Sequence, residues 1–439
     1  MRTTVTMLIG KVVRSLAKLR GGGSALPGLV VEKIDPGFLS RTLKQLPEGV
    51  IVISGTNGKT TTAKIVVELL EASGLRVFTN STGSNFSRGV IAGIVQTANL
   101  RGSLPADIAV LELDEAHAIH FIAQVKPRFT LLLNVLRDQL DRFGEIDTTA
   151  GLLSQIADAT NEGLVVNRDD ELIRKIGERV SSKGSPPSVE VRSFGLSPEL
   201  RKLFPSDAQL HGGLAPDMSL VDQQHADVTL VAVGDHEATF QMDGERISTS
   251  LALEGLYNTF NAAAALALVR IVLAATQVPN VHLLTSAELV QALSVIAPAF
   301  GRGERLTLDG QPLDLVLVKN PAGFRLALAS FDAAGVQTMI AINDKDADGR
   351  DMSWLWDVSF DSLQDAGVDT VSGTRAWEMA LRLQHDRVPF RAVIEPLSES
   401  LREFRDHTHG HPRRIFCTYT AMLSLRKELA TLTEVENVW

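Results

Sequence analysis

Cysteine occurs once in the 439 residues, at Cys417. No disulfide can form within the chain, and a zinc site built on paired cysteines is excluded. Basic residues are outnumbered: 43 lysines and arginines face 52 acids, a formal net charge of −9. A general nucleic-acid binder needs the opposite balance, so no nucleic-acid partner is expected. Uninterrupted apolar runs stop short of the ~18 residues of a membrane span. The N-terminal "TMLIG" is too short for the apolar core of a secretory signal. The remainder, 44% hydrophobic and 22% charged, is the composition of an ordinary soluble protein with room for two or three domains. The expectation is a cytoplasmic enzyme.

Acid is also missing locally. Arg2, Lys11, Arg14, Lys18 and Arg20 meet no Asp or Glu before Glu32. Leu8, Val12, Leu16 and Leu19 recur at helical spacing in the same stretch. Two readings stand: a helix packed on the body of the protein, or a basic amphipathic helix touching an anionic membrane surface.

Beyond this segment, apolar runs ("GVIVISG", "IAVLEL", "RFTLLLNV", "GLVVNRD") alternate with helical stretches. That rhythm predicts an α/β protein with a largely parallel sheet. The helix of "TTTAKIVVELLEASG" should end at Gly74. Residues 180–250, rich in Ser, Pro, Gly and Asp, carry alternating pieces that suggest hairpins. An Ala-rich helix follows in "YNTFNAAAALALVRIVLAAT", and a second α/β unit begins after "PAFGRGERLTLDG". The expected layout is a short basic segment (1–45), a central domain (46–302) and a C-terminal α/β domain (303–439).

The stretch "VIVISGTNGKTTT" carries the chemistry. A strand, a glycine turn, a lysine, a hydroxyl residue and a helix form the arrangement that binds phosphate: backbone N–H groups at a helix N-terminus face the anion. The common spacing G-x-x-x-x-G-K-[ST] asks for glycine where Ile53 stands, so the loop is the shorter Gly55-Thr56-Asn57-Gly58-Lys59-Thr60. Lys59 is expected to reach the β/γ-phosphates and the Thr60 hydroxyl to hold Mg²⁺.

Further segments sit downstream in order: "VLELDEAH" with Glu112, "NVLRDQLDRFGEID" with Gln139, "GLYNTFNAAAALA" with Asn258 and Asn261, and "FGRGER" with Arg302. With the loop GTNGKT they resemble the Mur ligase superfamily, which joins groups to peptidoglycan precursors through acyl phosphates. The resemblance implies a central P-loop ATPase domain with a parallel sheet, followed by a Rossmann-like C-terminal domain. It implies an ATP site of Gly55 to Thr61, with Asn258 or Asn261 near the adenine and Arg302 near the phosphates. Thr60, Glu112 and Gln139 would supply oxygens to Mg²⁺, with Gln139 standing where the family usually has histidine. His117 and His120 lie one turn apart, but two histidines alone make a poor metal site.

"VKNPAGF", "INDKDADGRDMSWLWD", "SGTRAWEMALRL" and "TYTAMLSLRKEL" are similar to one branch of that superfamily, MurT, the synthetase subunits of lipid II isoglutaminyl synthase. This implies ATP-dependent amidation of the D-glutamate α-carboxylate in the lipid II stem peptide. Ammonia would come from a GatD-type class I glutaminase in a heterodimer, at the cytoplasmic face of the membrane. The resemblance also implies that an acid of "NDKDADGRD" completes the partner's Cys–His pair, Asp351 first and Asp348 second. Cys417, in the apolar run "RRIFC", is a poor nucleophile candidate.

Departures from the pattern are equally specific. Many MurT relatives carry a four-cysteine zinc ribbon in the central domain; residues 180–250 contain no cysteine, and His211 cannot replace four thiolates. No structural zinc is expected. Lys319-Asn320-Pro321 stands where amino-acid-adding ligases have D-x-A-H-x-P, and only about 45 residues precede the loop strand where those ligases carry a UDP-binding domain. An alternative remains: a folylpolyglutamate-type ligase adding an amino acid.

Overall fold

The computed structural model describes residues 2–19, 26–80, 86–136, 146–182, 189–201, 225–234, 237–251, 256–296, 302–330 and 333–435. The β-branched runs become strands. Among these residues β1 (Val50–Ser54), β2 (Val77–Thr79), β3 (Ile108–Glu112), β4 (Phe129–Leu132), β5 (Gly163–Asn167), β6 (Glu190–Leu196), β7 (Val228–Gly234), β8 (Glu237–Met242) and β9 (Glu245–Ser250) form one sheet, ordered β2-β3-β1-β4-β5-β6-β7-β8-β9. The strands from β2 to β7 in that order pair in parallel. β7, β8 and β9 are antiparallel, so the described strands of the 180–250 region extend the sheet. Asp243 (φ 52°) and Gly244 (φ 83°) turn β8 into β9; two consecutive positive φ values are what a tight hairpin needs.

β1, β3, β4 and β5 are buried at every position, as parallel strands covered on both faces must be. Val50 and Val52 share one core with Ile94 (helix Ser87–Thr97), Phe121 (helix Glu115–Ile122), Ile156 (helix Ile146–Asp158) and Ile176 (helix Glu171–Ser182). Helix Lys59–Ala72 stops where its sequence signals. Gly74 (φ +90°) donates its N–H to Glu71 O at 2.9 Å and Leu75 donates to Leu70 O at 3.1 Å, the paired bonds of a glycine-terminated helix.

The helix Tyr257–Ala275 has a mean hydropathy of 1.5 over 19 residues, long and apolar enough to cross a bilayer. It is 78% buried within the protein. A β-carbon on Gly163 of β5 would come within 2.7 Å of Ile271 Cδ1, so this helix lies directly on the sheet. Its alanines serve close packing in a core.

Helix Arg2–Leu19 packs against helices Leu26–Ile34 and Ser87–Thr97. Thr6, Met7, Gly10 and Ala17 are buried. A β-carbon on Gly10 would lie 2.9 Å from both Val31 and Val95, and Thr6 Oγ1 donates to Asp35 at 3.1 Å.

The chain divides into two units: the first ends at residue 296, and the second holds residues 297–439 with segments 136–144 and 253–257. In the second, β10 (Arg302–Leu308), β11 (Gln311–Leu317), β12 (Gln337–Ala341), β13 (Val368–Ser372), β14 (Phe390–Ile394) and β15 (Arg413–Cys417) are ordered β10-β11-β15-β12-β13-β14. Only β10 runs antiparallel to its neighbour. One face packs on helices Pro321–Ser330 and Ala376–His385 through Phe324, Met379 and Phe416; the other packs on Leu397–His407 and Tyr419–Leu429 through Phe404 and Met422. β12 and β15 lie side by side, and the segments that follow them cover opposite faces. Their carboxyl ends therefore open a crevice of the kind that binds ligands in such sheets.

Candidate active site

β1 lies between β3 and β4, and its end feeds the loop Gly55–Gly58. Gly55 (φ +132°) and Gly58 (φ +89°) adopt backbone conformations that side chains resist. They also lack space: a β-carbon would come within 2.9 Å of Asn134 N at Gly55 and 2.3 Å of Asn261 Oδ1 at Gly58. Asn134, just past β4, clamps the loop. It accepts Thr56 N–H on its carbonyl (3.0 Å) and Asn57 N–H on Oδ1 (2.8 Å), and its Nδ2 donates to Asn57 O (3.1 Å). Gly58→Ala is therefore expected to weaken nucleotide binding by at least roughly tenfold, through strain of ~1–3 kcal/mol at a functional loop. Isothermal titration with ADP checks this, and unchanged affinity would show the loop to be more tolerant than its geometry.

Lys59 is the first helical residue after Gly58. Its Nζ donates to Gly55 O at 2.5 Å and lies 3.6 Å from Glu115 Oε1; the two side chains are 9% and 5% exposed. Glu115 opens the helix after β3, where Asp114 accepts Ala116 N–H at 3.3 Å. The Oε1 of Glu115 is buried with no hydrogen-bond partner. Its charge thus faces the ammonium without being consumed by a donor.

Glu112 ends β3 beside Ile53 of β1. Asn80 holds its backbone from both sides: Nδ2 donates to Glu112 O at 2.9 Å, and Glu112 N–H donates to Oδ1 at 3.1 Å. Thr60 and Thr61 sit in the first helical turn, and Thr61 Oγ1 is buried without a hydrogen-bond partner. The first N–H groups of a helix have no acceptor within it, and the helix dipole favours an anion there. The cradle fits a polyphosphate: two positions that β-carbons would block, a buried cation and an orphaned hydroxyl. It also fits Mg²⁺, which takes oxygen donors and shares them with phosphates. Among the described residues no three His, Cys, Asp or Glu side chains gather as a protein-only metal cage.

The other candidates fall in different places. Asn258 and Asn261 lie on the first turns of helix Leu256–Ala275. Asn261 is set against Gly58 in the phosphate loop, and Asn258 lies three residues before it on the same helix. Arg302 opens β10, but its side chain, like Gln139 and His211, lies outside the described residues. His117 rests edge-on against Phe86, ring centroids 4.1 Å apart.

In the second unit the two acids behave differently. Asp348 is buried (3% exposed) at the β12–β15 crevice. It accepts Lys345 N–H (3.1 Å), Thr420 N–H (2.7 Å) and Thr420 Oγ1–H (2.5 Å). Thr418, the residue preceding helix Tyr419–Leu429, makes no side-chain cap because its Oγ1 accepts Asn343 N–H at 2.8 Å. Asp348 does that work instead. Asp351 is exposed; its Oδ1 accepts Ser353 N–H at 2.9 Å, and the hydrogen bonds from Ser353 hold its carboxyl below the usual range. Asp348→Ala should therefore lower stability by about 2 kcal/mol and depress every activity together. Urea unfolding measures it, and an unchanged midpoint would remove the cap argument.

Cys417 is fully buried at the end of β15. Burial, and then the nearby Asp348 carboxylate, push its thiol far above the range in which thiolates form. Asn320 accepts Gly323 N–H at 2.8 Å, capping helix Pro321–Ser330, so "KNP" is spent on a helix start.

Residues 53–269 match the Mur ligase middle domain and residues 317–422 match the MurT ligase C-terminal domain. The chain is 29% identical to the lipid II isoglutaminyl synthase (glutamine-hydrolyzing) subunit MurT of Streptococcus pneumoniae, over 98% of each chain. It is 24% identical to the Staphylococcus aureus (strain COL) subunit MurT, over 90% of each. The chain belongs to the Mur ligase family, in its MurT branch. Its fold matches the Thermotoga maritima MurF ligase crystallised with ADP, at a TM-score of 0.63 and 16% identity, covering 92% of this chain and 84% of that one.

Within this MurT-type chain two site residues escaped the sequence reading. Asn134 was in view as the first letter of "NVLRDQLDR", but nothing local says that it reaches back to Thr56 and Asn57. Glu115 had only its adjacency to Glu112 as a signal.

Proposed function

We propose that this MurT-type chain uses ATP to activate the α-carboxylate of D-glutamate in the lipid II stem peptide and delivers it to ammonia, as the synthetase subunit of a glutamine-dependent amidotransferase acting at the cytoplasmic face of the membrane. The observation that carries the reading is the buried Lys59 at a helix N-terminus, following a loop with two conformationally obligatory glycines and beside Glu115. A carboxylate oxygen attacks the γ-phosphorus and the bond to ADP breaks. The ammonia nitrogen then attacks the acyl carbon, the C–O bond to phosphate breaks, and the nitrogen loses a proton to solvent. Phosphoryl transfer depends mainly on positioning and charge neutralisation. Lys59 would exchange Glu115 for the phosphates, the helix N–H groups of Thr60 and Thr61 would hold their oxygens, and Asn134 would keep the loop in register. Mg²⁺, held by Thr60 and Glu112 with Gln139 added on resemblance alone, would neutralise phosphate charge when bound. Arg302 stays in the proposal on the same ground.

The ammonia source is proposed to be a GatD-type glutaminase. The buried Cys417 supports this, since a glutamine-hydrolysing nucleophile needs a thiolate in the open. Exposed Asp351, and the exposed Trp356, Trp377 and Leu381 of the same unit, are the kind of surface a protein partner uses. Phosphate release with lipid II, supplied with ammonium salt, glutamine or free amino acids, tests the whole reading. Ammonium-dependent turnover is expected; turnover only with an amino acid would make the chain an amino-acid-adding ligase.

A further inference from the structure

Helix Arg2–Leu19 is turned the wrong way for an ordinary surface helix. Such a helix buries its apolar stripe and shows its polar face to water. Here Thr6, Met7, Gly10 and Ala17 pack on the body, while Val5 (53%), Leu8 (56%), Val12 (51%) and Leu16 (56%) stand exposed. Spaced three, four and four residues apart, these four lie along one side of the helix. The helix also holds Arg2, Lys11, Arg14 and Lys18 and no acid, on a chain whose net charge is −9. Packing of the opposite face fixes the stripe outward, so it is not an accident of a loose terminus.

We propose that this helix docks the protein on an anionic lipid bilayer, with Val5, Leu8, Val12 and Leu16 entering the headgroup boundary and the Lys11 and Arg14 side chains meeting lipid phosphates. Apolar insertion and electrostatic attraction act together at such surfaces, and neither alone binds firmly. A second copy of the chain is the weaker occupant, because it would bring two all-basic helices together. Docking of this kind stands apart from the amidation chemistry, though it would hold the active site near a lipid-linked substrate.

Co-sedimentation of the full chain with vesicles tests it. Wild type should pellet with phosphatidylcholine vesicles containing phosphatidylglycerol, and less with phosphatidylcholine alone or at high salt. Leu8→Gln/Leu16→Gln should bind at least roughly tenfold more weakly with unchanged thermal unfolding, since both side chains are already in water. Lys11→Gln/Arg14→Gln should flatten the salt dependence. Equal binding by wild type and the leucine variant, or no binding by wild type, overturns the proposal. So does a self-association or a glutaminase complex that the leucine variant loses without vesicles, which would give the stripe to a protein interface. Amidation of a water-soluble short-chain substrate should be unchanged in the leucine variant. If wild type pellets with vesicles but amidates nothing, the docking stands and the catalytic reading fails.

Discussion

Lys59→Ala is expected to lower ATP-dependent amidation by about 10²–10³-fold or more, the cost of removing a preorganised charge from a phosphoryl-transfer site. The same substitution should also destabilise the protein. Glu115 lies 3.6 Å from the ammonium with a side chain 5% exposed, and removing one partner of a buried pair costs about 3–5 kcal/mol, because the other charge is left uncompensated. Loss of activity in Lys59→Ala alone is therefore ambiguous. Lys59→Ala/Glu115→Gln separates the two effects: the neutral amide removes the buried charge, so urea stability should return most of the way while amidation stays absent. Near-normal amidation by Lys59→Ala would sink the site assignment. An unrecovered double variant would instead show that the lysine stabilises through its bonds to the Gly55 and Thr56 carbonyls.

The second large effect is selective. With a glutaminase present, Asp351→Asn should reduce glutamine-driven amidation by orders of magnitude and leave amidation from concentrated ammonium salt unchanged. An acid that orients a partner's histidine serves hydrolysis of glutamine, not phosphoryl transfer; loss of such an acid in a serine-protease triad costs about 10⁴-fold. Exposure favours Asp351 of the two candidates. Asp348 already accepts three hydrogen bonds inside its own unit, whereas Asp351 accepts from Ser353 and is open to solvent. Equal loss of both activities in Asp351→Asn would move the acid into the synthetase site. Glutamine-driven turnover by the chain alone would overturn the two-subunit reading.

Local signals in the chain were reliable where the physics is local. "VIVISGTNGKTTT" reads as strand, loop and helix because β-branching, glycine and a helix start occur within a few residues of one another. Gly74 reads as a helix end because only a residue tolerant of positive φ closes the turn. What could not be read is what the sheet order creates. Asn134 meets the loop from 77 residues away only because β4 lies beside β1, and Asn261 meets Gly58 because a distant helix crosses at that point. The N-terminal helix shows a different limit. Periodicity finds the stripe of Leu8, Val12 and Leu16 but does not say which way it faces. The packed side is instead chosen by small and polar residues: Gly10 lets the helix approach Val31 and Val95, and Thr6 bonds to Asp35.

The Asn134 clamp has a consequence for how the site behaves before nucleotide arrives. A loop of small and polar residues, left to itself, samples many conformations, and the affinity of a ligand that selects one is scaled down by the fraction of time that one is populated. With Thr56 and Asn57 tied to β4, the amides of those two residues should exchange slowly with deuterium even in the empty protein, while neighbouring exposed turns exchange at once. Asn134→Ala should make them fast and lower ADP affinity with little change in global unfolding. The nucleotide then meets a receptor whose shape was settled when the sheet folded.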